Sequence, residues 1–398
     1  MKTYDVLVLG GGAAGLAAAA KGGPGWVVAE KNDELCRKIY ATGNGRCNYM
    51  NMTADDAAGA TGIWGLRAEL ESLGILGKEE EAGRVYPRSG KAEDVALALI
   101  SAVKRAGVEV VTGFEAAQAV KEDEIFVVTA RDGRSLRARK LLIATGGKAG
   151  IQFGSDGSGL KLAKAFGHNV VKPIPALTYF TCAEDISQVA GVRVSGRVSI
   201  MRTKDDMIKT LASDRGEIQF AKNGLSGICV MNLSRYYRLE EGASFELVMD
   251  MMEDYHLMAL QDLFSARRAA FPEENAEFLL NTVLPRKLAD FILNLYGIDA
   301  KMPSANVTDR QIFYLAKSCK RIRFNITGAG GWKDAQVTCG GVELGEVNLE
   351  TMESKLVPGL YLAGEVLDYD GPCGGYNLTW AFSTGLRAGI SLSGKKEE

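Results

Sequence analysis

The chain has 398 residues, 46% of them hydrophobic and 24% charged, with a formal net charge of -2. This length exceeds what one hydrophobic core normally holds, so it predicts two packed units. The balanced charge argues against a nucleic-acid partner, and no apolar run approaches the roughly 20 residues that cross a bilayer, so we expect a soluble protein.

The first 111 residues predict a βαβ unit followed by a further helix and strand. Residues 4–9 form a short apolar run, typical of a strand buried on both faces of a parallel sheet. A glycine-rich turn, a helix of small residues at 13–20 and a strand at 26–29 follow. Residues 92–106 have helical apolar spacing and precede a strand at 108–111.

Three strand-like segments, at 115–120, 125–131 and 135–143, are separated by polar turns. This pattern predicts an antiparallel meander that returns to the parallel sheet. From about residue 172 the character changes, with strand-like pieces such as 191–201 before helical patterns near 255–270 and 286–295. We interpret this part as an inserted domain.

The last third returns to the first pattern, with an apolar strand at 359–363, a glycine-rich turn and a closing helix from about residue 375. The fold class is therefore α/β, a parallel sheet with an antiparallel meander plus an inserted second domain. We expect domain boundaries at 1–185 and 326–398 for the discontinuous domain and at 186–325 for the insertion.

Seven cysteines without a CxxC pair and only two histidines limit the chemistry of the side chains themselves. An odd number of cysteines in a long chain predicts thiols in a reducing compartment, by default the cytoplasm. Two histidines leave little material for a metal site or a Ser-His or Cys-His arrangement. We therefore expect no metal and a bound cofactor that carries the chemistry.

The first motif is the glycine turn Gly10, Gly12 and Gly15 between a strand and a helix, with Glu30 at the end of the second strand. In a dinucleotide-binding unit such glycines allow a tight turn, close approach of the pyrophosphate and close helix packing. Glu30 would accept a hydrogen bond from a ribose hydroxyl. The strand, helix and acid in register distinguish this motif from an ordinary glycine turn.

A second motif, KIYATGNGRCNYMN at residues 38–51, contains Gly43, Asn44 and Gly45 before Arg46. Its backbone could surround phosphate or ribitol oxygens while Arg46 supplies positive charge. The alternative is a surface turn with a solvated arginine.

Two further motifs follow strands. LLIATGG at 141–147 ends in small residues that let a ligand lie against the backbone, although alone it could be only a strand and turn. GLYLAGEVLDYDGPCGGYNL at 359–378 supplies Glu365 and a second glycine-rich helix start, which could direct N–H groups at a flavin.

Over nearly its whole length the chain resembles the BaiN-like family of FAD-binding oxidoreductases, also called aminoacetone-oxidase-type flavoproteins. The resemblance rests on GGGAAG at 10–15, ATGNGRCN at 41–48, VTCGGV at 337–342 and the long segment at 351–378. It implies a glutathione-reductase-like three-layer FAD domain with an inserted domain. Members are linked to reduction of enone-type bonds in oxidised bile acids, but most have no established substrate.

The motifs and the resemblance together give the following candidate FAD-binding residues: Gly10, Gly12, Ala13, Ala14, Gly15, Glu30, Lys31, Thr42, Gly43, Gly45, Arg46, Cys47, Asn48, Ala144, Thr145, Gly146, Gly147, Gly364, Glu365, Gly375, Tyr376, Asn377 and Leu378.

Several subclasses are disfavoured. Disulfide reductases of this fold need two cysteines about five positions apart, whereas Cys36 and Cys47 are 11 apart. No histidine lies in the second motif, so we expect noncovalent FAD. Residues 321–331 are the best candidate for a separate NAD(P)H-binding motif, but a strand-like segment follows them, so NAD(P)H would have to dock transiently in the substrate cleft.

Other residues have two interpretations each. His168 is better explained as a helix C-terminal residue than as a catalyst. Cys339 is better explained as a small buried thiol than as a flavin neighbour. The charged run at 202–209 is typical of a solvated hairpin, and Tyr376 is as well suited to packing as to proton donation.

The sequence therefore predicts a flavoenzyme that transfers hydride through FAD, in the reductive direction to an activated C=C bond of an apolar, steroid-like molecule. The inserted domain would cover the isoalloxazine ring. Two alternatives stay open: an oxidase of a small amine or ketone, and a non-catalytic flavin sensor or RNA-associated protein. The catalytic residues, the choice between NADH and NADPH and the oligomeric state are not determined by the sequence.

Overall fold

The computed structural model describes residues 2–394. Its strands are β1 Thr3–Leu9, β2 Trp26–Ala29, β3 Met50–Asn51, β4 Gly77–Glu79, β5 Arg84–Pro87, β6 Glu109–Val111, β7 Ala116–Glu122, β8 Ile125–Ala130, β9 Ser135–Ile143, β10 Ile174–Ala176, β11 Phe180–Cys182, β12 Arg193–Lys204, β13 Met207–Ala221, β14 Gly224–Ser226, β15 Ser244–Asp250, β16 Ile322–Ala329, β17 Val337–Cys339 and β18 Leu360–Leu362. Its α-helices are α1 Ala13–Ala19, α2 Arg37–Ala41, α3 Asp55–Ala58, α4 Gly62–Ser72, α5 Ala92–Arg105, α6 Ser158–Ala165, α7 Ile228–Leu233, α8 Leu257–Ala270, α9 Arg286–Leu295, α10 Asp309–Arg321 and α11 Tyr376–Ser393.

The chain divides into two compact units. The discontinuous unit contains the residues up to Pro175 together with those from Ala335 onward, and the inserted unit is Ala176–Asp334. Each unit has its own hydrophobic core. Within residues 2–394, no helix combines the length and the apolar character that crossing a bilayer requires.

The main sheet of the discontinuous unit has the order β6-β2-β1-β9-β8-β7, with β18 also paired to β9. On the side away from β1, strand β9 is long enough to pair with two strands. Its first half pairs antiparallel with β8, where Ala138 faces Phe126, and its second half pairs parallel with β18, where Ile143 faces Leu362. The predicted meander and its return to the parallel sheet are confirmed, and β18 brings the C-terminal segment to the same edge as β1.

Helices α1 and α11 pack backbone against backbone on one face of this sheet. A Cβ at Gly385 would lie 2.3 Å from the carbonyl oxygen of Ala14, and one at Gly389 would lie 2.5 Å from that of Ala18. Glycine on α11 and alanine on α1 are small enough to permit this approach. The contact joins the first helix of the chain to the last.

The inserted unit is a closed barrel with the order β11-β14-β13-β12-β15-β16, accompanied by α7 to α10. Its core includes Phe220 and Phe324, whose ring centroids are 5.9 Å apart. The predicted hairpin at 202–209 is confirmed as the β12–β13 turn, where Asp205 and Asp206 adopt left-handed φ of 50° and 60°. The closure into a barrel was not predicted.

Candidate cofactor site

The carboxyl ends of four parallel strands, β2, β1, β9 and β18, meet at one edge of the main sheet. Open α/β sheets bind their ligands outside this edge. The loops that leave the strands carry three of the predicted motifs. Hydrogen bonds between neighbouring strand ends align these loops: Gly10 N to Ala29 O at 2.9 Å, Ala144 N to Leu9 O at 2.9 Å, and Ala363 N to Ile143 O at 3.1 Å.

The three glycines of the first turn have different surroundings. Gly10 has φ of +107°, and a Cβ there would lie 2.4 Å from the carbonyl oxygen of Ala144. A Cβ at Gly15 would lie 1.9 Å from the carbonyl oxygen of Gly10, so helix and turn are in direct backbone contact. At Gly12, by contrast, a Cβ would meet no atom within 4 Å. Gly12 therefore faces open space that a pyrophosphate can enter.

Glu30 is buried at the end of β2 and its carboxylate organises the turn. Oε2 accepts the backbone N–H of Gly11 at 2.7 Å. Oε1 accepts the backbone and side-chain N–H groups of Asn32 at 2.8 and 2.7 Å. An acidic side chain at the end of the second strand accepts hydrogen bonds from ribose hydroxyls in dinucleotide-binding units.

Glu365 lies in the turn after β18 and is held by groups from three other segments. Oε1 accepts the backbone N–H of Thr338 at 2.7 Å, and Oε2 accepts that of Gly147 at 3.4 Å. The ammonium group of Lys38 is 2.7 Å from Oε2. Thr338 in turn accepts, through Oγ1, the backbone N–H groups that follow Gly147. Sequence analysis did not assign Lys38 or Thr338 to the site, although both lie in its motifs.

The loop of the second motif is a succession of left-handed residues: φ is 56° at Gly43, 55° at Asn44, 81° at Gly45 and 56° at Cys47. The backbone N–H groups of Arg46 and Cys47 are bonded within the loop, to the carbonyl oxygens of Gly43 and Thr42 at 3.1 and 3.0 Å. The Arg46 side chain is half exposed, pairs with Glu80 at 2.6 Å and stacks on the ring of Tyr86 at 4.1 Å. Its charge is therefore directed at Glu80 here.

The start of α11 packs on the end of this loop. A Cβ at Gly375 would lie 2.7 Å from the carbonyl oxygen of Met50 and 2.8 Å from Oδ1 of Asn48. That Oδ1 is buried and has no hydrogen-bond partner within residues 2–394. A buried polar atom without a partner carries a free-energy cost that a ligand donor would remove.

Tyr376, the first residue of α11, ends a short hydrogen-bonded chain. The Asn51 amide donates to the carbonyl oxygens of Gly374 and Ala82 at 2.7 and 3.1 Å, so its Oδ1 is an acceptor. Oγ1 of Thr53 donates to this Oδ1 at 2.8 Å. The single hydroxyl hydrogen of Thr53 is thus used, and the Tyr376 hydroxyl, 2.7 Å away, donates to Thr53.

The remaining predicted residues support the loops. Oγ1 of Thr145 packs against Gly159, where an added Cβ would lie only 1.9 Å from it. The ammonium group of Lys31 pairs with the carboxylate of Asp156 at 2.8 Å. The Asn377 side chain bonds the N–H and the C=O of Gly371 at 2.8 and 2.9 Å, so it holds the preceding loop. Ala14 packs under Gly364, since a Cβ added at Gly364 would lie 2.9 Å from the Cβ of Ala14.

The nearby thiols are shielded from ionisation. Burial raises the pKa of Cys36 to about 12 and that of Cys47 to about 11. Both therefore stay protonated at neutral pH and are weak nucleophiles. In the described part of the chain, no three His, Cys, Asp or Glu side chains cluster in a way that could hold a metal ion.

His168 lies outside the site and is buried after α6. Its Nδ1 is 2.8 Å from Glu346 and its Nε2 is 2.9 Å from Oγ of Ser354. The arrangement has the composition of a Ser-His-Glu triad, but Oγ of Ser354 also accepts the N–H groups of Leu356 and Val357 at 3.1 and 3.0 Å. Its lone pairs are occupied, so the cluster is structural.

These residues fit FAD. The open space at Gly12 suits the pyrophosphate, the acceptor oxygens of Glu30 suit the ribose, and the unpartnered Oδ1 of Asn48 lies where the start of α11 meets the second motif. The two ends of the chain therefore form a cradle for one extended nucleotide within the discontinuous unit.

Known proteins are similar in sequence to this chain over nearly its whole length. The family model of the HI0933-like protein Rossmann domain matches residues 4–391. The chain is 34% identical to the 3-dehydro-bile acid delta(4,6)-reductase of Clostridium scindens, over 96% of this chain and 97% of the relative. It is 28% identical to the ribosomal RNA dihydrouridine synthase of Escherichia coli, over 96% of each chain.

Among solved structures, the 3-ketosteroid delta1-dehydrogenase from Sterolibacterium denitrificans has a TM-score of 0.50, covers 100% of both chains and is 12% identical. At this identity the likeness concerns the fold alone. The family model and the bile acid reductase each span nearly the whole chain. The chain therefore belongs to the HI0933-like Rossmann family of FAD-binding oxidoreductases.

Proposed function

We propose that this FAD-dependent oxidoreductase reduces a C=C bond conjugated with a carbonyl group in an apolar, steroid-like small molecule. The observation that carries the proposal is the 34% identity to the bile acid reductase over 96% of this chain. The name of that relative describes reduction at the delta(4,6) position of a 3-dehydro-bile acid. Dihydrouridine, the product named for the second relative, likewise arises when the C=C bond beside a uracil carbonyl is saturated.

Bound FAD supplies hydride transfer to the polarised double bond. The chain's own groups hold the nucleotide: Gly12 leaves room for the pyrophosphate, and Glu30 is placed to accept from the ribose. The first N–H groups of α11 have no acceptor inside the helix and would stabilise negative charge on the reduced ring. Tyr376, at the same helix start, is our candidate to deliver the proton that the substrate carbanion requires; for this step its hydroxyl hydrogen would turn from Thr53 to the substrate.

NADH or NADPH, bound transiently, is the proposed source of electrons. The segment that came nearest to a second nucleotide motif, residues 321–331, runs through barrel strand β16. The next element after β16 is strand β17, not the helix whose N-terminus would bind a pyrophosphate. NADH or NADPH would therefore use the flavin site itself.

Ribosomal RNA is the second candidate substrate, because the Escherichia coli relative is named for it. The charges of the inserted barrel disfavour it. Arginines on the barrel strands face carboxylates of their own surface instead of forming an unopposed basic patch. The pairs are Arg193 with Glu217, Arg197 and Arg215 with Glu253, Arg202 and Lys204 with Glu240, and Arg323 with Glu246.

The test is an anaerobic stopped-flow titration of the flavin-loaded protein. NADH and NADPH are added separately, and bleaching of the flavin absorbance is followed. The reduced protein is then mixed with a 3-oxo-Δ4,6 steroid, a 3-oxo-Δ4 steroid, ribosomal RNA or oxygen. We expect rapid reoxidation by a conjugated steroid ketone.

Each other result assigns a different function. Reoxidation by ribosomal RNA alone would replace the substrate class, and rapid peroxide formation with oxygen would indicate an oxidase. Failure of both nicotinamides and all acceptors would leave a flavin-binding sensor.

A further inference from the structure

Lys38 and Glu365 form an ion pair across 327 positions of sequence. The side chain of Lys38 is 31% exposed and that of Glu365 is 18% exposed, and Nζ and Oε2 are 2.7 Å apart. Lys38 belongs to α2 beside the second motif, whereas Glu365 follows β18. The pair therefore joins two of the loops that form the cofactor cradle.

Glu365 lies at the edge of the sheet that we assign to the nucleotide. The N–H groups of Thr338 and Gly147 both donate to its oxygens, so the side chain is held in place. The turn that contains Glu365 starts at Gly364, which has φ of +77° and lies against Ala14 of helix α1. A fixed negative charge thus lies beside the segment that accommodates the doubly charged pyrophosphate.

Two negative charges close together in a partly desolvated site repel each other unless a cation intervenes. We propose that Lys38 is a positioning residue for FAD: its ammonium group neutralises Glu365 and so allows the pyrophosphate to approach the strand ends. The inference rests on the proposed function only through FAD binding and is independent of the substrate. Arg46, the cation singled out by the sequence, is paired with Glu80 instead.

The experiment compares full-length wild-type protein with Lys38→Met, Glu365→Gln and the double variant. The flavin-loaded proteins are diluted, and the fluorescence of released FAD gives the dissociation constant. Lys21→Met is the matched control, because Lys21 forms a similarly exposed pair with Glu69, at 2.5 Å, beyond the far end of α1. Thermal unfolding without added FAD shows whether each variant folds.

We expect Lys38→Met to raise the dissociation constant at least about tenfold, because the charge of Glu365 is then uncompensated. In the Glu365→Gln background, loss of Lys38 should change the FAD dissociation constant by less than about threefold, since the effects of the two substitutions are coupled. The control should bind like the wild type. Equal weakening by Lys38→Met in both backgrounds would show direct contact with FAD and overturn the neutralising role.

Unchanged FAD affinity in a folded Lys38→Met protein would also refute the inference. If Lys38→Met does not fold, Lys38→Gln and the double variant provide the same comparison. A wild-type protein that releases all its FAD at micromolar concentration would instead contradict the proposed function, so the two failures are distinguishable.

Discussion

Asn51 donates its backbone N–H to Oγ1 of Thr379 at 3.0 Å, although 328 positions separate the two residues. Thr379 lies in the first turn of α11, so this bond fixes the helix start against the loop of the second motif. The cofactor cradle therefore depends on contacts between the two ends of the chain.

Gly12→Ala should weaken FAD binding without destabilising the fold. Gly12 has an extended conformation, with φ of -94° and ψ of -166°, that alanine adopts freely, and its Cβ would enter open space. That space is the pyrophosphate position, so we expect a rise of at least about tenfold in the FAD dissociation constant. Fluorescence of released FAD measures the affinity, and urea unfolding without added FAD should be unchanged.

Gly15→Ala is the contrasting variant in the same turn. Its Cβ would lie 1.9 Å from the carbonyl oxygen of Gly10, so the turn or the helix must move. We expect a loss of roughly 3 kcal/mol of stability. If Gly12→Ala were equally destabilising, the open space at Gly12 would not be the ligand position.

Gly385→Ala should separate the first and last helices. The added Cβ would lie 2.3 Å from the backbone oxygen of Ala14, and backbone atoms cannot move aside as a flexible side chain does. Overpacking of this kind costs roughly 1–3 kcal/mol, and displacement of α11 should also weaken FAD binding. Urea unfolding measures the loss. Gly23→Ala, where a Cβ meets nothing within 4 Å, is the control and should behave like the wild type.

Sequence reasoning succeeded where structure is set by neighbouring residues. The strand at 26–29, the long strand at 135–143 and the helix at 286–295 have the predicted bounds, because apolar periodicity records which face is buried. The glycine turn was recognisable for the same local reason. Its residues, its strand and its helix are contiguous in the chain.

The missed features are contacts between distant segments. The barrel closes because β16 pairs with β11 and β15, so that Phe180 faces Ala329 across 149 positions, and no local pattern encodes that pairing. Arg46 was expected to face phosphate, yet its partner Glu80 lies on a separate small-sheet loop. Lys38 was overlooked because its importance depends on Glu365, at the other end of the chain.

Tyr376→Phe tests the proposed proton donor. Removal of the hydroxyl leaves Thr53 bonded to Asn51, so the local structure should persist. Loss of a general acid reduces rates by about 100-fold or more, so we expect reoxidation of the reduced flavin by a conjugated ketone to slow by this factor. Reduction by nicotinamide should be unaffected. Equal slowing of both half-reactions would assign Tyr376 to packing.

The buried thiol of Cys319 should make the protein less stable at alkaline pH. Burial in the barrel unit raises its pKa to about 12, whereas an unfolded cysteine ionises near 8.5. The folded state therefore keeps a proton that the unfolded state releases, and stability falls as pH rises from about 9 towards 12, by roughly 1 kcal/mol per pH unit. In urea unfolding between pH 8 and 10.5, Cys319→Ala should show a shallower decline. Parallel curves would contradict this assignment.

His168→Phe distinguishes a structural histidine from a catalytic one. The imidazole joins the end of α6 to Glu346 and Ser354, and phenylalanine can form neither hydrogen bond. We expect a loss of about 2 kcal/mol in urea unfolding, because the buried Ser354 and the partly exposed Glu346 each lose a partner. FAD affinity and both flavin half-reactions should be unchanged once the variant is folded, since Ser354 already accepts two backbone N–H groups and cannot act as a nucleophile. A folded variant with slowed flavin chemistry would place His168 in the reaction instead.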